Sequence, residues 1–348
     1  MKNIFEGLSK KRLFWPLIIL ALVFIFDFIF IEGFFSIEIK NGNLYGRLID
    51  IINRGSTLMI LSIGMTLVIA TKGIDISVGS VLAISGAIVA QMLGPSSDAA
   101  KPFVLCIVLA LIVATILGCW NGFLVSKIGI QPVVATLILM VAGRGIAQCI
   151  TSGQIPTVQY KPFAYLASFV PGIPLPFSLF IVAGILIITL LAVKKTALGM
   201  FIEAVGINPQ ASRLSGLNVQ KLIFFTYAFS GFCAGVAGLI TASMIKAADA
   251  NNAGLLIEMD AILAVAIGGT QLSGGRFSII ASIIGALIIQ SLTTTLYALG
   301  VSPQVLPVVK ALAVVVICLL QSPDFRKLLF SAFKRNRRDQ HAKIKAEF

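Results

Sequence analysis

Six ionisable residues fall within or at the mouths of long apolar runs: Asp27, Asp75, Arg144, Glu258, Asp260 and Lys310. At membrane depth such a group costs about 2.5 to 3.5 kcal/mol on insertion scales, so each demands a partner or a task. The chemistry open to them is that of a polar passage, built from ion pairs, gates and hydrogen bonds. The single histidine, His341, lies in the polar tail, which excludes Ser-His-Asp, Cys-His and His-Glu-x-x-His arrangements. Five cysteines, at 106, 119, 149, 233 and 318, sit inside apolar runs without Cys-x-x-Cys spacing, so neither a zinc site nor a disulfide framework is suggested. They read as small packing residues. No Gly-x-x-x-x-Gly-Lys-Ser/Thr loop occurs, so ATP hydrolysis, if used, belongs to another chain.

Spacing sharpens three of these candidates. Arg144 lies between Gly143 and Gly145 toward the outer end of its run, and Glu258 and Asp260 sit near the outer start of theirs. Opposite sign at shared depth predicts an ion pair from Arg144 to Glu258 or Asp260. The two carboxylates otherwise read as interfacial groups snorkelling to water, the favoured reading, or as an external gate or dock for a binding protein. Asp75 is followed by Ser77, Gly79 and Ser80. An ordinary helix N-cap explains it. A broken helix lining a hydrated cavity is the alternative that Gly73 and Gly79 raise. Its place at the cytoplasmic end of a span favours a structural cap or cytoplasmic gate over a sugar site. Asn121, Gln148, Gln290, Trp120 and Tyr297 offer hydrogen bonds and ring faces, but they form no specific motif and serve equally as interhelical glue.

The elements that must hold these groups are membrane helices. Of 348 residues, 58% are hydrophobic and 12% charged, far from the roughly 45–50% and 25% of soluble domains. A bilayer core of about 30 Å needs about 20 helical residues, and the chain divides into about ten runs of that length. They are placed near 13–35, 56–71, 75–93, 103–125, 131–150, 177–193, 222–245, 257–272, 277–299 and 304–321, the second and eighth short enough for half-helices or re-entrant elements. The expected architecture is therefore all-α and polytopic: a leader over 1–12, a transmembrane domain over 13–321 and a basic tail over 322–348. The first run reads as a retained anchor, because no small-x-small cleavage site follows it.

The net charge of +13 is explained by topology, not by nucleic acid. With the N-terminus inside, nineteen basic residues fall on the cytoplasmic side and six outside: Lys40, Arg47, Arg54, Lys101, Lys161 and Lys246. The positive-inside rule then places both termini in the cytoplasm. Eight tail cations follow Pro323, where each gains about 1 kcal/mol from an anionic leaflet.

Between the sixth and seventh runs, residues 194–221 carry more pattern than a connector needs. Leu198, Phe201, Ile202 and Val205 recur at i, i+3, i+4 and i+7 and predict a short amphipathic helix that Gly206 breaks. Asn208 can cap a second helix over 209–215, with Pro209 at its first position and Gly216 in the left-handed position after it. This hairpin reads as an interfacial element resting on lipid or as a docking surface for a soluble partner, the sharper reading.

The stretch TALGMFIEAVGINPQASRLSGLNV (196–219) resembles the cytoplasmic coupling segment of sugar permeases in ATP-binding cassette importers, the ribose and galactofuranose group. GMTLVIATKGIDISVGSVLAISGA (64–87), IQPVVATLILMVAGRGIAQ (130–148) and DANNAGLLIEMDAILAVAIGG (249–269) are also similar to that group, so the likeness runs from about 50 to 322. It is strongest to galactofuranose permeases, through Phe201–Gly206 and Asp249–Gly254. The resemblance implies a multi-pass subunit of the bacterial inner membrane that is not itself an enzyme. Its expected partners are a second permease, either the same chain or a paralogue, cytoplasmic ATP-binding subunits carrying ATP and Mg, and an extracytoplasmic sugar-binding protein; the chain itself would bind no cofactor or metal. Glu203, Ala204, Gly206, Asn208, Arg213 and Gly216 are then the ATPase-coupling residues. Asp75, Asn121, Arg144, Glu258 and Asp260 remain translocation-path or gate candidates. An ion-coupled secondary carrier is the competing reading; it should bury carboxylates near midplane, where the span assignment puts Asp27 alone, and it leaves the hairpin unexplained.

Overall fold

A computed structural model describes residues 13–40, 42–96 and 101–321; the expected leader and basic tail lie outside the described residues. The order of elements is α1 (Phe14–Phe30), a small hairpin of β1 (Glu38–Lys40) and β2 (Asn43–Tyr45), α2 (Arg47–Ala70), α3 (Val78–Leu93), α4 (Phe103–Phe123), α5 (Pro132–Thr151), a short α6 (Lys161–Ala164), α7 (Phe177–Lys195), α8 (Leu198–Ile207), α9 (Pro209–Leu214), α10 (Val219–Ile245), α11 (Ile257–Ile267), α12 (Ile279–Ala298) and α13 (Leu306–Gln321). α4 continues through a wider turn over Leu124–Ile128. The strands pair antiparallel, Glu38 opposite Tyr45. The chain forms two compact units, one through Thr294 and one from Thr295.

Among the described residues, six helices are long and apolar enough to cross a bilayer: α2, α4 with its extension, α5, α7, α10 and α12. α1, α3 and α13 are apolar but shorter, at 17, 16 and 16 residues. The first run ends early, at Phe30 instead of 35, and two further boundaries move. The second run begins at Arg47, nine residues earlier than placed, because Arg47, Asp50 and Arg54 are helical and conceal the start of a full 24-residue helix. The eighth shrinks to α11, whose 11 residues cover about 16 Å, half a hydrocarbon core.

In the first unit, α2 and α10 are the most deeply buried spans, while α4, α5 and α7 turn much of their surface outward. α10 packs on α4, α2 and α3, and α3 on α5. Small residues make this possible. A β-carbon at Gly118 on α4 would stand 2.9 Å from the Gly231 Cα of α10, and one at Gly231 would stand 2.7 Å from the Gly118 Cα. Backbones in direct contact replace the hydrophobic drive that lipid cannot supply. Gly118 and Gly231 thus serve packing within the chain.

Candidate functional site

The helix-turn-helix at 196–218 forms largely as its residues dictate. On α8, Ile202 and Val205 are buried and Met200 and Ile207 are exposed, the two-sided pattern of an amphipathic helix. Asn208 caps α9 through its Oδ1, which accepts from the backbone N–H groups of Gln210 (3.0 Å) and Ala211 (3.1 Å), with Pro209 at the first position. Gly216 takes the left-handed conformation after it, φ 82°. Glu203 and Ala204 are half-buried; Asn208, Arg213 and Gly216 are exposed. Gly206 corrects an expectation: it lies inside α8, which runs one residue further to Ile207. Its missing side chain serves contact, because a β-carbon there would overlap the Ala70 carbonyl oxygen and the Gly275 backbone.

That contact fastens the hairpin to the bundle. The Gly275 N–H donates to the Ala70 carbonyl at 2.9 Å, and Lys72 Nζ donates to the Ile207 carbonyl at the end of α8, at 3.2 Å. Lys72 itself holds a left-handed backbone, φ 65°, uncommon outside glycine and asparagine. The outward side of the hairpin ends in Leu214, 91% exposed at the end of α9.

Three residues beyond Lys72 lies Asp75, 1% exposed. It is not the cap of α3, whose first residue is Val78. Its Oδ1 accepts from the Ser77 N–H (3.1 Å) and Ser77 Oγ (2.6 Å), and its Oδ2 accepts from Ser230 Oγ of α10 (2.8 Å). Asn121 Nδ2 of α4 donates to Ser77 Oγ at 2.8 Å. The preceding Ile74 carbonyl receives Tyr227 Oη and Thr136 Oγ1, each at 3.3 Å. Residues 71–77 are thereby tied to α4, α5 and α10 around one carboxylate. Ser230 stands eleven residues into α10, about 16 Å at 1.5 Å per residue, so Asp75 sits well inside the bundle and not at its end. Asn121 Oδ1 is buried without a hydrogen-bond partner.

A second irregular segment approaches from the far end. At Ala248 it bonds Pro156, alongside the end of α3 near Leu93; Ala250 reaches Ala83 and Ala87; Gly254 meets Gly79 in the first turn of α3. The segment is bracketed by left-handed Lys246 (φ 52°) and Leu256 (φ 62°). α11 starts only there, so the first turns of two part-length helices meet inside the bundle. Helix N-termini carry partial positive charge, and two of them facing each other call for anions. Asp75 accepts from Ser77 just before α3 starts, and the Glu258 carboxylate, 2% exposed, lies against Gly79 in its first turn. Glu258 therefore does not snorkel, and Asp27 is not alone in being a buried carboxylate. Asp260 is half-buried on the same turn of α11.

Arg144 makes neither expected ion pair. Its Nη1 donates to the backbone carbonyls of Ala250 (3.1 Å) and Ala253 (2.6 Å), because the descending segment exposes unpaired carbonyls nearer than either carboxylate. Gln148 Nε2 donates to Asn251 Oδ1 at 2.6 Å one turn further on. In this segment burial pushes the Asp249 carboxyl up, but the Asn252 amide, the N–H groups of Asn252 and Asn251 and the Arg144 charge together hold it below the usual carboxylate range. Lys310 lies on α13 in the second unit.

The chain is 46% identical over 333 residues to the galactofuranose transporter permease protein YtfT of Escherichia coli, covering 94% of this chain and 96% of the relative. It is 40% identical over 352 residues to the fructose import permease protein FruF of Bifidobacterium longum, covering 99% and 96%. It is 37% identical over 318 residues to the ribose import permease protein RbsC of Haemophilus influenzae, covering 90% and 93%. No solved structure matches. The family model described as "Branched-chain amino acid transport system / permease component" matches residues 47–320, and the chain belongs to that family, as a multi-pass protein of the bacterial inner membrane.

Proposed function

We propose that this chain is the membrane permease subunit of an ATP-driven importer for a monosaccharide of the galactofuranose, fructose or ribose class, delivered by an extracytoplasmic binding protein. The relatives' names support the substrate class, with galactofuranose first. The observation that carries the mechanism is the hairpin: Met200, Ile207 and Leu214 are exposed on a short element whose other side is locked to α2 through Gly206. Exposed apolar side chains on such an element mark a docking surface. In this reading both termini and the hairpin are cytoplasmic, and α8 and α9 receive the ATP-binding subunits, which carry ATP and Mg. Closure of those subunits displaces the hairpin as a lever.

The lever delivers its movement to Ala70 and Lys72, and residues 73–77 carry it to the carboxylate junction at Asp75, Ser77, Asn121 and Ser230. Alternating access needs an element with two discrete arrangements, and a segment held by side-chain hydrogen bonds instead of helix ladders fits that need. On the opposite side, Arg144 holds the 250–253 carbonyls as an external gate, with Glu258 and Asp260 at the base of the same segment. Among the described residues, the void between Leu82, Gly86, Gly238, Ala248 and Ala253 is about 10 Å³, room for at most one water and too small for a sugar. The sugar then passes between two permeases, the same chain twice or a paralogue pair.

Reconstitution with the ATP-binding subunits and the binding protein tests this. ATP-dependent sugar uptake is expected, together with loss of the ATPase from Leu214→Asp permease that still inserts. Uptake driven by an ion gradient with this chain alone would establish the carrier reading instead.

A further inference from the structure

The loop between α11 and α12, residues 268–278, enters the hairpin reading only as backbone that Gly206 abuts at Gly275, yet the fold brings the whole loop to the same end of the bundle. Gly275 bonds Ala70, and a β-carbon at Gly274 would stand 2.5 Å from Lys72 Cγ. Lys72 in turn bonds Ile207. Loop, α2 terminus and α8 thus form one continuous ledge. Into it opens a cleft of about 370 Å³ lined by Ile207, Gly269, Gln271, Gly274, Gly275 and Arg276.

Its rim has the composition of a recognition surface. Leu272 is 49% exposed, and Gln271, Ser273 and Arg276 beside it are exposed as well. Ile207 adds an exposed apolar wall that belongs to the hairpin itself. Apolar anchors around a polar, hydrogen-bonding cleft with arginine at its edge are what a protein interface presents. The charge is one-sided: across residues 71–72, 196–221 and 268–278 the cations Lys72, Arg213, Lys221 and Arg276 face Glu203 as the acid. A complementary occupant is acidic.

We propose that residues 268–276 are a second arm of the ATPase-docking surface, with the cleft beside Ile207 receiving an acidic segment of the ATP-binding subunit and Arg276 pairing with its carboxylate. The inference rests on the hairpin reading, since it extends that surface across the Lys72 and Gly275 contacts. Two arms in one ledge fix the orientation of the docked subunit as well as its position, because a single helical knob leaves rotation about its axis free. A push on either arm reaches Ala70.

The test uses the complete importer in lipid nanodiscs, with a photoreactive benzoylphenylalanine placed singly at Leu272 or at Leu214. Both are exposed, so neither replacement disturbs a core. Light is expected to give permease–ATPase adducts from both positions. Arg276→Glu should weaken association of the ATPase about tenfold, Arg276→Gln less, with permease yield and thermal stability unchanged. Adducts from Leu214 but none from Leu272, with affinity unaltered in Arg276→Glu, would overturn the second arm and leave the hairpin reading intact. Absence of adducts from both positions would remove the hairpin reading itself. A cleft that serves anionic lipid would show Arg276→Glu losing co-purified phosphatidylglycerol with ATPase affinity unchanged, which also overturns the proposal.

Discussion

Gly206 on the hairpin and Ala70 at the end of α2 meet backbone to backbone, with no room for a β-carbon between them. Gly206→Val must therefore part the two elements. Overpacking of this kind costs about 1–3 kcal/mol, and here the strain falls on the joint between lever and bundle. Sugar uptake is expected to fall at least tenfold while the ATPase still co-purifies, since Met200 and Leu214 keep their exposure. Uptake and subunit stoichiometry measured on the same proteoliposomes decide the matter; undiminished uptake would mean that the joint bears no force.

Asp75 should show an asymmetry between two substitutions. Asp75→Ala leaves the Ser77 and Ser230 hydroxyls and the Ser77 N–H without their acceptor, a loss of about 1–3 kcal/mol for buried groups. Asp75→Asn keeps one oxygen for Ser77 and offers Ser230 a donor in place of the other, so a smaller loss is expected. Thermal unfolding of the detergent-purified chain measures both; equal stability in the alanine variant would show that the carboxylate holds nothing together.

Arg144→Glu is expected to abolish uptake, and adding Glu258→Arg or Asp260→Arg should not restore it. The guanidinium is bound to the carbonyls of Ala250 and Ala253, which no charge swap at 258 or 260 replaces. Recovery of transport in either double variant would reinstate the ion pair.

Asp249 predicts a response to acid. Its carboxyl titrates below the usual carboxylate range in the folded chain, so its contribution is complete above the unfolded value of about 3.9 and disappears as pH falls through the lower folded value. Amide exchange of Asn251 and Asn252, which donate to Asp249 Oδ1, should accelerate as pH falls below about 4, after correction for intrinsic rates. Asp249→Asn should abolish the step; an identical step in that variant would assign the titration elsewhere.

How far the sequence foretells this molecule follows the range of each interaction. The hairpin is legible because its signals are local: a 3.6-residue stripe, an Asn-Pro start and a glycine stop all fall within 24 residues. The Asp75 junction is not, because Ser230 lies 155 positions away and Asn121 lies 44 from Ser77, and one sequence holds no record of which distant polar residues meet. Arg144 misleads for a different reason. Its sign and depth are readable, but a backbone carbonyl satisfies a guanidinium as well as a carboxylate does, and carbonyls are everywhere in a sequence. Gly206 reads as a helix breaker in the sequence because a glycine needed for contact and one needed for a turn look alike until the neighbouring chain is in place.

The short span of α11 bears on how this protein can live in a cell. The stretch that precedes it holds peptide groups outside any helix, with Leu255, Leu256, Asn251 and Asn252 all exposed on the single chain. Hydrocarbon does not tolerate such a strip unless protein or water covers it. An unassembled copy should therefore be a marked target for membrane proteases, and cells making this polypeptide without its companions should hold little of it at steady state.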